Sequence, residues 1–270
     1  MTDTLINVIL LLSVALGPWL LFAFLIHQIE HLMQRRLAER FGWKSVMWTG
    51  WLGTPIHELS HTVMCRLFGH RIDEVVLFEP DPESGRLGYV RHSYRKNHWF
   101  EEIGNVFIGI APLVGGSLVL GLLLWLFYPD AAGEAIKTAN GEADDLDLLS
   151  RAGGIIQLMG QEIIKPANMV TLRFWSFLYL VLCVGSHMAP SASDYRGAGR
   201  GAILLSIPIL VLVVLATLFF PDSGAVAYAM VDVLSPLFAL LLLTVLLCSA
   251  ALVLVCLLTS LFPVRYRDSG

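Results

Sequence analysis

Two histidines and a glutamate lie close together at positions 57–61. The sequence His57-Glu58-Leu59-Ser60-His61 has the HExxH pattern. On a helix, residues four apart lie on one face about 6 Å from each other, so both imidazoles can bind one metal ion. Glu58 would lie beside that ion and accept a proton from a water molecule that the metal activates. The pattern therefore predicts a Zn²⁺ site with Glu58 as the general base.

A catalytic zinc ion usually has three protein ligands and one water molecule, so a third ligand must come from elsewhere in the chain. Asp194 is our first choice, and His187 is the second, because both lie where an apolar segment ends. Asp194 could instead cap the next segment, and His187 could be a structural hydrogen-bonding residue. We predict metal binding by His57, His61 and Asp194. Glu58 and His187 are the predicted catalytic residues.

The metal motif lies within an apolar segment. Ionisable side chains are unfavourable in a bilayer unless they have partners and a function, which favours a metal site over a chance match to the pattern. Thr54 and Pro55 come just before His57. Thr54 could be an N-cap with Pro55 as the first helical residue. The plainer alternative is a proline kink within one continuous helix.

The composition predicts a membrane protein. Of the 270 residues, 56% are hydrophobic and 15% are charged, and the mean hydropathy is +0.69. Soluble domains carry about 25% charged residues. The net charge of -4 excludes the basic field that nucleic-acid-binding proteins present.

Six segments have the length and apolar character of a membrane span, which needs about 20 residues. They are residues 5–26, 45–68, 103–128, 174–193, 201–220 and 233–262. Segment 28–44 has the pattern of an amphipathic helix in the membrane interface. Two β-prone runs at 72–78 and 87–94, separated by proline, aspartate, serine and glycine, predict a hairpin. The hairpin could bind an extended substrate by edge pairing, or it could be a structural plug.

The predicted fold is an all-α polytopic membrane protein with about six transmembrane helices and a small membrane-associated β-hairpin after the HExxH helix. Residues 1–44 form an N-terminal anchor with an amphipathic linker. Residues 45–200 form the catalytic core, and residues 201–270 contribute two further helices. The first span has no basic leader or evident cleavage site, so we expect a retained anchor. The acidic stretch 129–165 is expected to be a loop with short helices.

The four cysteines give no sign of a disulfide framework. Cys65, Cys183, Cys248 and Cys256 all lie within or beside apolar runs, and no two of them form a CxxC pair. We interpret them as small buried hydrophobic residues.

The stretch from His57 to His70 resembles the first motif helix of site-2 proteases, a family of intramembrane zinc metalloproteases. In that family a basic residue and a glycine closely follow HExxH, and Arg66 and Gly69 occupy those places. Membrane-associated strands come next in the family, followed by a span with a motif of small residues and proline. The sequence Ala-Pro-Leu-Val-Gly-Gly at 111–116 is similar in kind.

The last family motif differs in this chain. His187 and Pro190 stand where the family has Asn-x-x-Pro, and Asp194 follows one residue sooner than is usual. Tyr195 replaces the glycine that normally follows the aspartate. The family's asparagine is thought to hold the substrate or its oxyanion. By this resemblance, His187 could take that role or approach the metal itself.

The resemblance implies zinc-dependent hydrolysis of a transmembrane or membrane-proximal protein substrate within the lipid bilayer. It implies no nucleic-acid partner and leaves the oligomeric state open. Two alternatives remain: a metal or ion-coupled membrane transporter, and an inert protease-like scaffold. The intact Glu58 argues against the scaffold, since an inert protein needs no general base.

Charge predicts the orientation in the membrane. Basic residues cluster after the hairpin, after Asp194 and at the C-terminus, whereas 129–165 is acidic. By the positive-inside rule, the basic loops face the cytoplasm, and the active site lies toward the cytoplasmic side of a bacterial-type inner membrane. The basic residues between 35 and 44 would then be external. Either they bind lipid headgroups there, or the first span does not cross fully.

Overall fold

The computed structural model describes residues 2–139, 157, 161–191, 193–195, 198–219 and 223–262. Most of the acidic stretch 129–165 lies outside these residues, as do Arg196, Arg265 and Arg267. The helices are α1 (Thr2–Phe41), α2 (Lys44–Leu67), α3 (Trp99–Phe127), α4 (Pro129–Ala139), α5 (Pro166–Met169), α6 (Leu172–Gly185), α7 (Ala198–Phe219) and α8 (Ser223–Ser260). The strands are β1 (Arg71–Val76) and β2 (Tyr89–Ser93).

Helix α2 carries the HExxH motif in its second half and is continuous through Pro55. The alternative that Thr54 caps a new helix is therefore wrong, because Thr54 is an interior residue of α2. The helix ends at Leu67, and Gly69 follows with a φ of 74°. Glycine adopts this left-handed conformation without steric strain. The resulting turn lets the His70 amide donate to the Cys65 carbonyl at 2.8 Å.

The predicted hairpin is confirmed. Strands β1 and β2 pair in antiparallel register, with Val76 opposite Tyr89 and Ile72 opposite His92. The register shifts between Ile72 and Glu74, which leaves a bulge at Asp73. The connecting turn is closed by the Asp81 amide, which donates to the Arg86 carbonyl at 2.8 Å.

Helix α3 packs against α2, α6 and α7, and its glycines let neighbouring chain segments approach closely. A β-carbon at Gly116 would lie 2.7 Å from the β-carbon of Met188, and one at Gly109 would lie 2.8 Å from the Asp194 carbonyl. A β-carbon at Gly115 would overlap the Ser60 side chain on α2. The small residues of α3 therefore bring α2 and the segment after α6 to the same region.

Among the described residues, three helical segments are long and apolar enough to cross a membrane: Trp99–Phe127, Ala198–Leu215 and Leu237–Ser260. Helix α6 is apolar but shorter, and it ends at Gly185 rather than continuing to 193 as predicted. Helix α2 has 24 residues but carries ionisable residues in its interior. Much of the predicted span 5–26 belongs to the part of α1 whose side chains lie outside the described residues.

Helix α1 packs along α8, and both contribute to the hydrophobic core. Residues 28–41 continue α1 rather than forming a helix of their own. Ile26 and Met33 are fully buried, against a core that includes Cys248 and Ala251 of α8. Outward-facing apolar side chains such as Ile203, Leu212 and Leu122 give α7 and α3 surfaces that suit contact with lipid.

Candidate metal centre

His57, His61 and Asp194 form a group that could hold a metal ion. The two histidines lie one turn apart on α2, and their Nε2 atoms are 3.1 Å from each other. The Asp194 carboxylate lies 3.3 Å from Nε2 of His61 and 3.6 Å from Nε2 of His57. The ligand atoms of the three side chains all lie within 4.8 Å of one another.

Backbone carbonyls orient both imidazoles. Nδ1 of His57 lies 2.8 Å from the carbonyl oxygen of His187, and Nδ1 of His61 lies 2.8 Å from that of Ile108. A carbonyl oxygen only accepts hydrogen bonds, so each Nδ1 carries the proton that it donates. In the neutral rings, each Nε2 then has a lone pair directed at the place that the Asp194 carboxylate also faces. Acceptor atoms that converge in this way suit a cation between them, as at histidine-ligated metal sites.

Asp194 reaches the histidines from the loop that follows α6. Its Oδ2 accepts a hydrogen bond from the Ser191 amide at 2.6 Å, and its own amide donates to the Ser191 carbonyl at 3.1 Å. These bonds close a local turn that orients the carboxylate. Gly109 of α3 gives the backbone at Asp194 the room to approach. The turn and the helix contact together place Asp194 opposite α2.

Glu58 is only 7% exposed, and it lines the same cavity as His57, His61 and Asp194. The cavity has a volume of about 440 Å³. Its walls come from α2, α3, the hairpin and the loop that carries Asp194. The other lining residues are Arg86, Gly88, Tyr89, Val90, His92, Asn105, Ile108, Ser191 and Ser193. A buried glutamate therefore lines the same space as the candidate ligands, and that space is large enough for part of a peptide chain.

The His187 side chain does not line this cavity. Its ring packs against α2 at Gly53, where an added β-carbon would lie 2.8 Å from the β-carbon of His187. Nδ1 lies 2.9 Å from the Ser186 hydroxyl, and the buried Nε2 has no hydrogen-bond partner among the described residues. The structure thus brings the carbonyl of His187, rather than its imidazole, to the metal-ligating group. A catalytic role for the His187 side chain stays a prediction.

Two polar residues of α1, Glu30 and Gln34, bind the loop that contains the His187 carbonyl. Neither residue was predicted from the sequence to have a role. Oε2 of Glu30 accepts a hydrogen bond from the Ala189 amide at 2.5 Å. Nε2 of Gln34 donates to the Ser186 carbonyl at 2.6 Å. Glu30 and Gln34 are one helical turn apart and also bond to each other at 3.1 Å. In the sequence, the sign of such a role was a pair of polar residues four positions apart beside an apolar span.

Sequence reasoning also missed Asn105 and Arg86. Asn105 is buried on α3, and among the described residues its side-chain nitrogen makes long contacts, of 3.4 and 3.5 Å, with carbonyls of its own helix. Arg86 lies over the Tyr89 ring, with its guanidinium carbon 4.3 Å from the ring centre. Both residues border the cavity. In the sequence, the signal for Asn105 was an asparagine near the start of the uncharged segment 103–128.

Comparisons of the chain with family models, with curated proteins and with solved structures find no match. The geometry of the metal-ligating group and its cavity is therefore the basis for assigning a function.

Proposed function

We propose that this protein is a membrane-embedded zinc metalloprotease that hydrolyses peptide bonds of membrane-associated proteins. One observation carries the proposal: Nε2 of His57, Nε2 of His61 and the Asp194 carboxylate converge beside the buried Glu58. The similarity of residues 57–70 to the motif helix of site-2 proteases supports the same reaction.

The donor set fits zinc. Two imidazoles and one carboxylate, with a fourth position open, are the ligands of many catalytic zinc sites. Zinc–nitrogen bonds of about 2.0–2.1 Å in tetrahedral geometry place two ligand atoms about 3.3 Å apart. The separations of 3.1, 3.3 and 3.6 Å are close to this value. Two neutral histidines and one carboxylate would also leave the ion with a net positive charge.

Different side chains around the cavity would contribute to different steps of peptide hydrolysis. When bound, zinc supplies Lewis-acid activation of a water molecule and polarisation of the substrate carbonyl. Glu58 accepts the proton of the attacking water and returns a proton to the leaving amine nitrogen. The Asn105 amide, weakly bonded within its own helix, is available to donate to a substrate carbonyl oxygen. The carbonyls of His187 and Ile108 keep both imidazoles in one orientation.

Two features of the hairpin support contact with an extended substrate. Residues of β2 form part of the cavity wall. Within the described residues, β2 pairs with β1 on one side only, so its other edge could pair with a substrate strand. A purely structural hairpin remains the alternative, and proline substitutions in β2 that leave cleavage unchanged would favour it.

We further propose a multi-pass protein of a bacterial-type inner membrane, with the cavity toward the cytoplasmic side. The three apolar helical segments support insertion in a membrane. Arg91, Arg95 and Arg200 support the orientation, because they lie on the hairpin and at the nearby ends of α3 and α7.

The test compares membranes that contain the wild-type protein with membranes that contain Glu58→Gln. New protein N-termini are labelled chemically and identified by mass spectrometry. We expect new termini in or near apolar segments with the wild type and at least about 100-fold fewer with Glu58→Gln, the scale of a lost acid–base group. Bound zinc, measured by elemental analysis, should be the same in both.

Glu83→Gln is the matched control, because it makes the same chemical change at an exposed residue of the hairpin turn. It should produce the same termini as the wild type. Identical termini with the wild type and Glu58→Gln would contradict the proposed proteolysis.

A further inference from the structure

A second group of metal-ligating side chains lies further along α2. Cys65 is one helical turn beyond His61, and His70 follows the turn at Gly69. His92 comes from β2 and completes the group. The ligand atoms of these three residues also lie within 4.8 Å of one another. From the sequence, Cys65 was expected to be a small buried hydrophobic residue, and neither histidine had a predicted role.

The two histidines of this group face each other through nitrogen atoms. Nδ1 of His70 lies 3.0 Å from Nδ1 of His92. Nε2 of His70 lies 2.8 Å from the carbonyl oxygen of Glu101, which only accepts, so Nε2 carries the proton. Nδ1 of the neutral His70 ring therefore has a lone pair directed toward His92. A backbone carbonyl orients this ring as others orient His57 and His61.

Surrounding residues bury two members of the group, Cys65 and His70. Cys65 has no exposed surface, and His70 is 5% exposed. The His70 ring stacks on Tyr94, with ring centres 5.0 Å apart. Gly104 of α3 lies against it, since an added β-carbon would be 3.1 Å from Nε2 of His70. The ring thus has little room to turn away from Cys65 and His92.

His92 connects this group with the cavity. It is partly exposed, and it is among the residues that line the cavity beside Glu58. Its ring therefore belongs both to this group and to the wall of the cavity.

We propose that Cys65, His70 and His92 bind a second metal ion, of the class that prefers thiolate and imidazole ligands. One thiolate and two imidazole nitrogens suit Zn²⁺, and they also suit Cu⁺. The ion joins β2 to the end of α2 and thereby fixes the hairpin wall of the cavity. This inference does not depend on proteolytic activity, because it rests on a different set of ligands. Without an ion, the His92 ring would donate a hydrogen bond to the His70 ring. The Cys65 side chain would then make only packing contacts.

Cobalt tests the proposal because, of the two candidate metal groups among the described residues, this one alone contains a thiol. The purified full-length protein is stripped of metal by a chelator and then reloaded with Co²⁺. We expect a near-ultraviolet absorption from thiolate-to-cobalt charge transfer, which the nitrogen and oxygen ligands of the first group do not produce. The absorption should persist in Asp194→Ala, whose substitution lies in the first group. A cobalt-loaded wild-type protein without this absorption overturns the proposal, and this result needs no variant to fold.

Substitutions then assign the absorption to its ligands. Cys65→Ser should abolish it, and His92→Asn should weaken or abolish it. Cys256→Ser is the matched control, because it makes the same change on α8 and should leave the spectrum unaltered. An unaltered spectrum in Cys65→Ser would overturn the proposal.

Elemental analysis of the protein as purified, without stripping, identifies the ion. We expect two metal equivalents in the wild type and one in His92→Asn. Zinc alone, or zinc with copper, distinguishes the two candidate ions. One equivalent in both the wild type and His92→Asn would contradict a second site.

Discussion

The His57–His61–Asp194 group and the Cys65–His70–His92 group share α2 as a support but differ in how their ligand atoms are oriented. In the first group, backbone carbonyls fix both imidazoles, and a carboxylate supplies the charge. In the second group, a carbonyl fixes only His70. The third ligand there is a buried thiol, which must lose its proton when a metal binds. The first group is therefore the better prepared for a cation.

The two groups also differ in the length of chain that they join. Residues 65–92 contain the whole second group, within α2 and the hairpin that follows it. The first group joins α2 to Asp194 across α3 and α6, with further support from Glu30 of α1. Substitutions in helices far from α2 should therefore weaken metal binding more in the first group than in the second.

The largest expected effect is the loss of metal from the first group in Asp194→Ala. Removing a carboxylate ligand should weaken binding there by at least about 100-fold, more than the loss of an outer hydrogen bond. The second group should keep its ion. A competition titration with a chromophoric chelator measures both affinities.

His187→Ala is the control for this substitution. Its main-chain carbonyl, which accepts from His57, remains in the variant, so the first group should keep its metal. Loss of metal in His187→Ala with retention in Asp194→Ala would reverse the assignment of the third ligand.

A smaller and more selective effect is expected at two glycines of α3. An alanine at Gly109 would press on the Asp194 backbone, whereas an alanine at Gly104 would press on Phe68 and His70. Each substitution should weaken metal binding about 10-fold in the group that it contacts. This factor is at the low end of the losses in metal affinity that follow changes in residues around metal ligands. The same titration measures the affinities.

Gly121→Ala provides the comparison for both, since among the described residues its β-carbon would meet just the end of the flexible Leu240 side chain, at 3.1 Å. Equal effects of Gly104→Ala and Gly109→Ala on both groups would show that the two groups are coupled rather than separate.

The smallest effect is expected for Glu30→Gln. The glutamine keeps one oxygen that can accept from the Ala189 amide, so the free energy of unfolding should fall by only about 0.5–1.5 kcal/mol, the scale of one hydrogen bond. Metal affinity of the first group should fall less than 10-fold, and the second group should not change. Thermal unfolding and the chelator titration together test this expectation. Glu39→Gln is the control, because Glu39 pairs with Arg35 on the exposed side of the same helix.

Much of the local structure could be predicted from the sequence. Residues four apart share a helix face, so the pattern at 57–61 placed two imidazoles together without knowledge of the rest of the chain. The turn residues between 80 and 85 predicted the hairpin, and apolar length predicted α3 and the later helices. The end of α6 was misplaced because hydropathy continues through Met188 and Ala189, although the helix stops at Gly185.

The sequence by itself determined which residues can bind a metal, because side-chain chemistry and helical spacing are local properties. Only the tertiary structure decided which of them meet. Asp194 faces the histidines because α3 has glycines where the loop must approach. Cys65 changed from a buried hydrophobic residue to a candidate ligand because the hairpin folds back and brings His92 to His70. Such contacts depend on how helices and strands pack. Packing brings together residues that are far apart along the chain, and no periodic pattern in the sequence identifies such pairs.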